Sequence, residues 1–260
     1  AFQQKIENFT EEHGLLRVAP RSHTELSAKE LIYNQSPLSI MNEAYRTVRT
    51  SLLLAHGEKP PQVILLTSPS PGEGKTVTSL NLSIALAQDG HNVLLVDADM
   101  RRGRCHTALG LRNHRGLSNV LSGLLSLEKS IQPTPITGLS LMSCGAPTAN
   151  PAELLGSQRM KELVKELRRQ FEFVLIDSPP TMAISDAAIL SPLTDGVLLV
   201  VHSRKTFTHH AKKAVERLHL VHARVLGAIL NGVGLDDPEY SYYRNYSHYY
   251  RDVTNEHPVV

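Results

Sequence analysis

The stretch VILLTSPSPGEGKT, residues 63–76, joins an apolar run to a glycine-rich loop that ends in lysine and threonine. The apolar run is typical of a buried strand, and the pattern that follows the loop predicts a helix. Gly72 and Gly74 allow the backbone to wrap closely around an anion, with helix N-terminal N–H groups directed at it. Lys75 would neutralise phosphate charge, and the Thr76 hydroxyl would bind Mg²⁺. The stretch therefore predicts a polyphosphate-binding loop between a strand and a helix.

The candidate nucleotide-binding residues of this loop are Gly72, Glu73, Gly74, Lys75, Thr76 and Val77. The first glycine of the usual motif is absent, because position 69 is proline. Taken alone, the loop would also fit a glycine-rich turn that binds nothing. A preceding strand, the Gly-Lys-Thr sequence and a following helix together favour the phosphate site.

Two further apolar runs, residues 93–96 and 173–176, each lead into aspartate. They supply Asp97, Asp99 and Asp177. Because ligands of parallel α/β sheets bind beyond the carboxyl ends of the strands, we expect these carboxylates to converge on the phosphates. Mg²⁺ usually contacts only one or two protein carboxylates, which leaves a third to accept the proton of an attacking hydroxyl. A single aspartate at a strand end is often only a turn former, but two such strands beside the loop argue for a site.

Apolar runs alternate with helical patterns along most of the chain. Strands are predicted at residues 63–66, 93–96, 173–176, 197–200 and 225–230. Helices are predicted at residues 40–55, 76–88, 151–170 and 207–220. Buried strands separated by helices indicate a parallel sheet covered on both faces. The predicted fold is therefore α/β, a three-layer P-loop NTPase-like fold with a mostly parallel central sheet and helices on both faces.

The ends of the chain depart from this pattern. Residues 1–38 are polar, contain prolines and predict an N-terminal arm or linker, and residues 39–235 predict the P-loop domain. Residues 236–260 lack an apolar stripe and predict a flexible tail. The tail holds six of the eight tyrosines of the chain, namely Tyr240, Tyr242, Tyr243, Tyr246, Tyr249 and Tyr250.

The composition is that of a globular protein with a sizeable core. The 260 residues carry a formal charge of +2, too small by itself to argue for nucleic acid, and we expect no nucleic-acid partner. Two cysteines cannot form a disulfide framework in a chain of this length, which favours a reducing compartment. We find no apolar run of the ~18 residues that span a membrane, nor a signal peptide, and expect a cytoplasmic location.

Taken together, the motifs resemble those of the bacterial tyrosine kinase family, the cytoplasmic kinases of exopolysaccharide and capsule export. The resemblance extends from about residue 43 to the C-terminus. It rests on the loop at 68–76, on LLVDADMR at 94–101 as a second Walker-like motif, and on VLIDSPP at 174–180 as the Walker B strand. It also includes EAYRTVR at 43–49, NPAELL at 150–155 and the terminal tyrosine cluster.

This resemblance implies an ATP- and Mg²⁺-dependent protein-tyrosine kinase that phosphorylates the terminal tyrosines. It implies that Lys75 and Thr76 hold the phosphates and the metal, that Asp99 and Asp177 assist the metal, and that Asp97 accepts the proton of a tyrosine hydroxyl.

Further residues lie near the predicted site. Asn231 resembles an adenine-contacting asparagine of related ATPases, although an Asn-Gly turn explains it equally well. Arg101, Arg102 and Arg104 could steady ATP or an incoming acidic, phosphorylated tail, and only Arg101 is counted among the catalytic candidates. A solvated basic loop explains the last two almost as well. Asp186 resembles a position near the γ-phosphate, but a helix cap is equally plausible, so it stays outside the predicted site.

Glu43, Arg46 and Arg49 recur every three residues along one side of a predicted helix. The spacing also fits a solvated charged face, but the family resemblance implies contact with a neighbouring subunit of a ring, and on that ground we predict an oligomer interface here. The resemblance also implies a membrane-embedded polysaccharide co-polymerase or activator, fused or separate, and a cognate tyrosine phosphatase. We therefore expect location at the inner face of the membrane, through that partner or a further N-terminal segment.

Two other functions fit the same loop. Partition and division-site ATPases share the fold and use ATP as a dimerisation switch, but they carry a second lysine near the start of the loop, where this chain has Ser70. They also lack a terminal tyrosine cluster. A nucleotide-binding adaptor without catalysis is the other alternative, and the intact Lys75, Asp97, Asp99 and Asp177 argue against it.

Overall fold

A mixed sheet forms the central layer of the computed structural model, which describes residues 15–17, 31–36, 39–54 and 59–234. The eight strands of the described residues are Leu15–Arg17 (β1), Val63–Thr67 (β2), Val93–Asp97 (β3), Gln132–Pro133 (β4), Leu139–Met142 (β5), Phe173–Asp177 (β6), Gly196–His202 (β7) and Val225–Asn231 (β8). Their order is β1-β8-β7-β2-β6-β3-β5-β4, and only the pairing of β4 with β5 is antiparallel. The phosphate-loop strand β2 lies between β7 and β6.

Helices cover both faces of this sheet. The described α-helices are Ile40–Leu54 (α1), Lys75–Gln88 (α2), Cys105–Ala108 (α3), Leu117–Leu121 (α4), Leu127–Ser130 (α5), Pro151–Leu155 (α6), Gln158–Gln170 (α7), Asp186–Leu190 (α8) and Thr208–Leu220 (α9). Single-turn 3₁₀ helices lie at Ile32–Asn34 and Ser191–Leu193. None of the helices described is both long enough and apolar enough to cross a lipid bilayer.

Alternate side chains of each central strand enter different cores. Ile64 and Leu66 of β2 pack with α1 and α2, whereas Val63 and Leu65 pack with α7 and α8 on the opposite face. Residues of β7 and β8 form a smaller cluster with α9. All five residues of each of the central strands β2, β3 and β6 are buried, as strands covered on both faces must be. The predicted three-layer α/β fold is confirmed.

The five predicted strands are present. Most differences between the predicted and the observed elements concern segments with weaker sequence patterns. The helix predicted at 151–170 is interrupted: α6 ends at Leu155, and Ser157 Oγ accepts a hydrogen bond from the N–H of Met160 at 3.3 Å to cap α7. The strands β1, β4 and β5 were not predicted. β5 pairs with β3 through the short sequence LSLM, which is too brief for a clear strand pattern.

Part of the predicted N-terminal arm is integrated into the fold. β1 pairs with β8, and Leu31 and Ile32 are buried in the core beside α1 and α2. The N–H of Ile32 donates to Oδ1 of Asn81 at 2.9 Å, and its carbonyl accepts from Nδ2 of Asn42 at 3.3 Å. Polar side chains of the helices therefore anchor this segment, which explains why an apolar pattern did not reveal it. The terminal tyrosine cluster lies outside the described residues.

Candidate active site

Two glycines set the path of the loop between β2 and α2. Gly72 and Gly74 have φ angles of +76° and +91°, in the left-handed region that favours glycine. Gly74 immediately precedes α2, and the side chain of Asn231 fills the space into which a Cβ atom at position 74 would project. A larger residue there would be strained and would collide with Asn231. The loop is thus shaped to present the N-terminal N–H groups of α2 to an anion.

Glu73 ties the loop to the neighbouring strand ends. Its side chain is buried, its Oε2 accepts from the N–H of Ser70 at 3.0 Å, and its Oε1 accepts from the hydroxyl of Thr206 at 2.6 Å. Nδ2 of Asn231 donates to the Glu73 carbonyl at 3.0 Å. Burial raises the pKa of Glu73 against the lowering effect of the hydrogen bonds. Asn231 therefore contacts the loop backbone, and its contact with adenine stays a prediction.

Asp97 and Asp177 occupy paired positions on the neighbouring strands β3 and β6, and both are buried. Burial, reinforced by the charge of Asp177, raises the pKa of Asp97 to about 7. Burial also raises the pKa of Asp177, although the charge of Lys75 and a hydrogen bond from Thr76 oppose it. Two adjacent buried carboxylates carry more negative charge than their surroundings offset, and a cation would relieve it.

Lys75 lies between the loop and the carboxylates. Its Nζ is 3.5 Å from Oδ2 of Asp99, whose Oδ1 accepts from the N–H groups of Arg101 at 3.3 Å and Arg102 at 2.9 Å. Burial alone would lower the pKa of Lys75, but the charges of Asp177 and Asp99 outweigh it and raise that pKa. The amine is therefore held protonated, within reach of both the carboxylates and an anion bound by the loop.

Cys105 also belongs to the carboxylate cluster, although no sequence motif indicates it. The possible ligand atoms of Asp97, Cys105 and Asp177 all lie within 4.8 Å of one another. Burial raises the pKa of the thiol well above its usual value, so it is neutral and a poor partner for Mg²⁺, which prefers oxygen. The oxygens of Thr76 and Asp177 suit Mg²⁺ better than the thiol does, and the role of these two residues as metal ligands stays a prediction. Asp99 contacts Lys75 here, and its role as a metal ligand stays a prediction.

Arg101 is paired with Asp186, a residue outside the predicted site. Nε of Arg101 lies 3.1 Å from Oδ2 of Asp186, and Nη2 lies 3.4 Å from Oδ1. Asp186 is buried at the first residue of α8, while Arg101 is partly exposed. The pair joins the loops that follow β3 and β6. The signal for it was present, because both residues follow strands that end in aspartate.

The predicted interface residues differ in their surroundings. Arg46 lies 3.6 Å from Glu43, and both side chains are nearly half exposed. Arg49 instead donates to the carbonyl of Ala85 at 3.1 Å and pairs with Asp89 at 3.1 Å, so it is engaged within its own chain. Glu43 and Arg46 remain available to a second subunit, and the interface stays a prediction.

The strand, glycine loop and helix, with paired carboxylates at the neighbouring strand ends, define a P-loop nucleotide-binding protein. Residues 61–229 match the family model described as an AAA domain. The septum site-determining protein MinD of Pyrococcus horikoshii, complexed with Mg-ADP, is similar in structure, with a TM-score of 0.59 and 27% identity over 68% of this chain and 74% of MinD.

Tyrosine kinases are more similar to this chain. Tyrosine-protein kinase YwqD of Bacillus subtilis is 41% identical over 216 residues, covering 83% of this chain and 91% of YwqD. The kinase domain of the Escherichia coli tyrosine kinase ETK has a TM-score of 0.82 and 30% identity, covering 89% of this chain and 94% of that domain. The chain belongs to the bacterial tyrosine-protein kinase family. It spans 34% of the length of the E. coli tyrosine-protein kinase Etk, to which it is 34% identical over 244 residues.

Proposed function

We propose that this protein transfers phosphate from ATP to tyrosines of its own C-terminal segment, in trans between copies of the chain. The observation that carries the proposal is the meeting of Lys75 with Asp97, Asp99 and Asp177 beside the glycine loop. The six terminal tyrosines supply the acceptor hydroxyls. Membership of a family whose relatives are named tyrosine-protein kinases supports the assignment.

The chemistry follows from the positions of the side chains. The loop N–H groups and Lys75 bind the β- and γ-phosphates, and bound Mg²⁺ would neutralise charge on the transferring phosphoryl group. Asp97 accepts the phenolic proton as the tyrosine oxygen bonds to the γ-phosphorus and the bond to the ADP oxygen breaks. The raised pKa of Asp97, about 7, suits a group that gains a proton during the reaction. The hydrogen bond that the Thr76 hydroxyl donates to Asp177 supports a metal held by these two residues.

A dimerisation-switch ATPase is the alternative on this fold. Position 70 is serine rather than the second lysine of those proteins, and its N–H is occupied by the buried Glu73 carboxylate. The tyrosine cluster would have no purpose in such a switch. Both features favour phosphate transfer to tyrosine.

The surroundings of the kinase are part of the proposal. We place the protein in the cytoplasm, at the inner face of the membrane, with a polysaccharide co-polymerase as activating partner and a tyrosine phosphatase as antagonist. Relatives named tyrosine-protein kinases, such as YwqD and Etk, support the kinase part of this setting. In it, tyrosine phosphorylation would regulate exopolysaccharide or capsule synthesis and export.

Lys75→Met tests the proposed function. Phosphatase-treated protein is incubated with Mg-ATP, and intact-mass analysis counts the phosphates. The wild type should gain several phosphates in steps of one, and Lys75→Met should gain none, because the phosphate charge is no longer neutralised. Lys161→Met, a matched change on the exposed face of α7, should behave as the wild type. ATP hydrolysis by the wild type without any gain in mass would indicate the ATPase switch instead.

A further inference from the structure

The loop region after β3 carries an unusual concentration of positive charge. Residues 100–127 contain five arginines and neither aspartate nor glutamate. Arg101 pairs with the buried Asp186. The other four guanidinium residues, which are exposed, are Arg102, Arg104, Arg112 and Arg115. We call these four the arginine rim.

The rim residues come from two loops that meet at Cys144. The position that a Cβ atom of Gly103 would occupy is 2.5 Å from Sγ of Cys144, so the backbone between Arg102 and Arg104 packs on this thiol. From the other side, Oδ1 of Asn113, next to Arg112, lies 3.4 Å from the same sulfur. The two arginine-bearing loops are therefore neighbours in space.

This junction adjoins the proposed catalytic carboxylate. The Cβ position at Gly103 is also 2.8 Å from Oδ2 of Asp97, the group proposed to accept the tyrosine proton. A chain bound on the rim would hence pass close to Asp97. The rim is outside the phosphate loop, so it can bind a substrate chain while ATP occupies the loop.

The positive charge of the arginine rim is not balanced by carboxylates of the described residues. Within the described ranges, no carboxylate lies within ion-pair distance of any of its four guanidinium groups. Exposed charges of one sign around a cleft raise the local concentration of oppositely charged ligands. Guanidinium groups suit carboxylates and phosphates, which they can bind through paired N–H donors. The expected ligand is therefore an anionic segment rich in carboxylates or phosphate.

The tyrosine-bearing segment of this chain has the matching charge. Residues 235–260 include two arginines against five acidic residues, which are Asp236, Asp237, Glu239, Asp252 and Glu256. Three of the acids immediately precede Tyr240. Resting on the proposed function, we propose that the arginine rim is the docking surface for this segment of a second copy of the chain. Docking of the acids at 236–239 brings the tyrosines that follow to the Asp97 edge of the sheet.

Charge reversal tests the docking surface. Arg112 and Arg115 are the best positions, because the described hydrogen bonds of both use only their backbone carbonyls, toward Gln132 and Ser143. Their replacement in the variant Arg112→Glu/Arg115→Glu should leave the fold and the ATP affinity unchanged. The matched control is Lys161→Glu/Lys165→Glu, which makes the same change of charge on the exposed face of α7.

Binding is measured by fluorescence anisotropy with a labelled peptide of residues 235–260, without ATP, on the chain of residues 1–260. Reversal on the rim should raise the dissociation constant about tenfold at low salt, since two attractions become repulsions, whereas the control should bind as the wild type. A second peptide with Asp236→Lys, Asp237→Lys and Glu239→Lys should bind the wild type weakly and the rim variant more tightly. Equal weakening by rim and control variants, or none, would overturn the proposal.

Two further arms separate the possible failures. If the peptide binds but is not phosphorylated when Mg-ATP is added, the kinase function is contradicted and the docking surface stands. If the wild type phosphorylated the natural and the lysine-substituted peptides with equal KM, the docking surface would be contradicted and the kinase function would stand. Flotation with phosphatidylserine vesicles, against phosphatidylcholine vesicles, tests an anionic membrane as the ligand. Vesicle binding that the rim variant loses, with unchanged peptide affinity, would overturn tail docking.

Discussion

Asp97 combines burial with a carboxylate neighbour, and this sets its properties. Its Oδ1 accepts from the N–H of Asp99 at 3.2 Å and its Oδ2 from the N–H of Cys105 at 3.1 Å. These bonds favour the ionised form, but burial and the charge of Asp177 outweigh them and raise the pKa to about 7. A carboxyl group balanced in this way can be ionised before reaction and protonated after it, which a proton acceptor requires.

We predict that Asp97→Asn will largely preserve Mg-ATP binding and will slow phosphate transfer by about 10²–10⁴-fold, the usual contribution of a positioned base. Asparagine keeps the size and the acceptor oxygen of the side chain but cannot take the proton. Equilibrium binding and single-turnover transfer to the tail peptide measure the two effects separately. Asp99→Asn is the comparison, because it removes the partner of Lys75. If Asp97→Asn lost affinity and transfer in parallel, Asp97 would be a metal ligand rather than the base.

At the scale of secondary structure elements, one ion pair joins three of them at the edge opposite the active site. Asp195, just before β7, accepts from the N–H groups of Gln62 at 2.9 Å and Val63 at 2.8 Å at the start of β2. Both of its oxygens also bind the guanidinium of Arg168 in α7, each at 2.8 Å. Burial would raise the pKa of Asp195, but these hydrogen bonds outweigh it and lower the pKa.

We predict that Asp195→Asn will lower the free energy of unfolding at pH 7 by about 1–2 kcal/mol, since one partner of a part-buried charged network is lost. A lowered folded-state pKa stabilises the fold above the unfolded value of about 3.9, and this stabilisation is lost as pH falls through the folded pKa. The difference between variant and wild type should therefore shrink on acidification. Urea unfolding at pH 7 and at pH 3.5 measures it, with Glu216→Gln on the exposed face of α9 as the unchanged control. A difference independent of pH would exclude the carboxylate charge as its source.

The sequence predicted the strands that consist of uninterrupted apolar runs. Runs such as residues 93–96 are apolar throughout because both faces of the strand are covered, and such runs need no tertiary information. β5 and the segment at Leu31 depend on partners distant in sequence, namely β3 and Asn81, and local pattern cannot show these. In the candidate site, the glycine loop and the aspartates could be predicted because they come directly after apolar strands. The roles of Cys105 and Asp186 depend on side-chain distances between loops.

At the scale of the whole molecule, the site opens at the carboxyl ends of the strands, whereas Glu43 and Arg46 lie on α1. Their mutual distance of 3.6 Å and exposed side chains leave them free to exchange partners with another subunit. Arg49 is already bound to Ala85 and Asp89 of its own chain, so its replacement would also weaken the packing of α1 on α2. Arg46 is therefore the cleaner position at which to test a proposed ring, whose contacts between like subunits would repeat around a closed cycle.

We predict that phosphate transfer occurs between subunits and depends on Arg46. A Lys75→Met chain, which retains its tyrosines, is mixed with a chain in which all six tail tyrosines are phenylalanine, and Mg-ATP is added. Intact-mass analysis should show phosphate only on the Lys75→Met chain, because the other chain has an active site but no terminal acceptor.

Arg46→Glu in both chains should slow this transfer at micromolar protein and lower the mass measured by light scattering, since it replaces attraction to Glu43 of a neighbour with repulsion. Tethering in an assembly raises the effective concentration of the tail, so the loss should be partly recovered at high protein concentration. Lys161→Glu, which makes the same change of charge on the exposed face of α7, is the control for added negative charge. Transfer that is independent of both Arg46 and total protein concentration would contradict assembly through α1, and phosphate that never appears on the Lys75→Met chain would show that each chain modifies only itself.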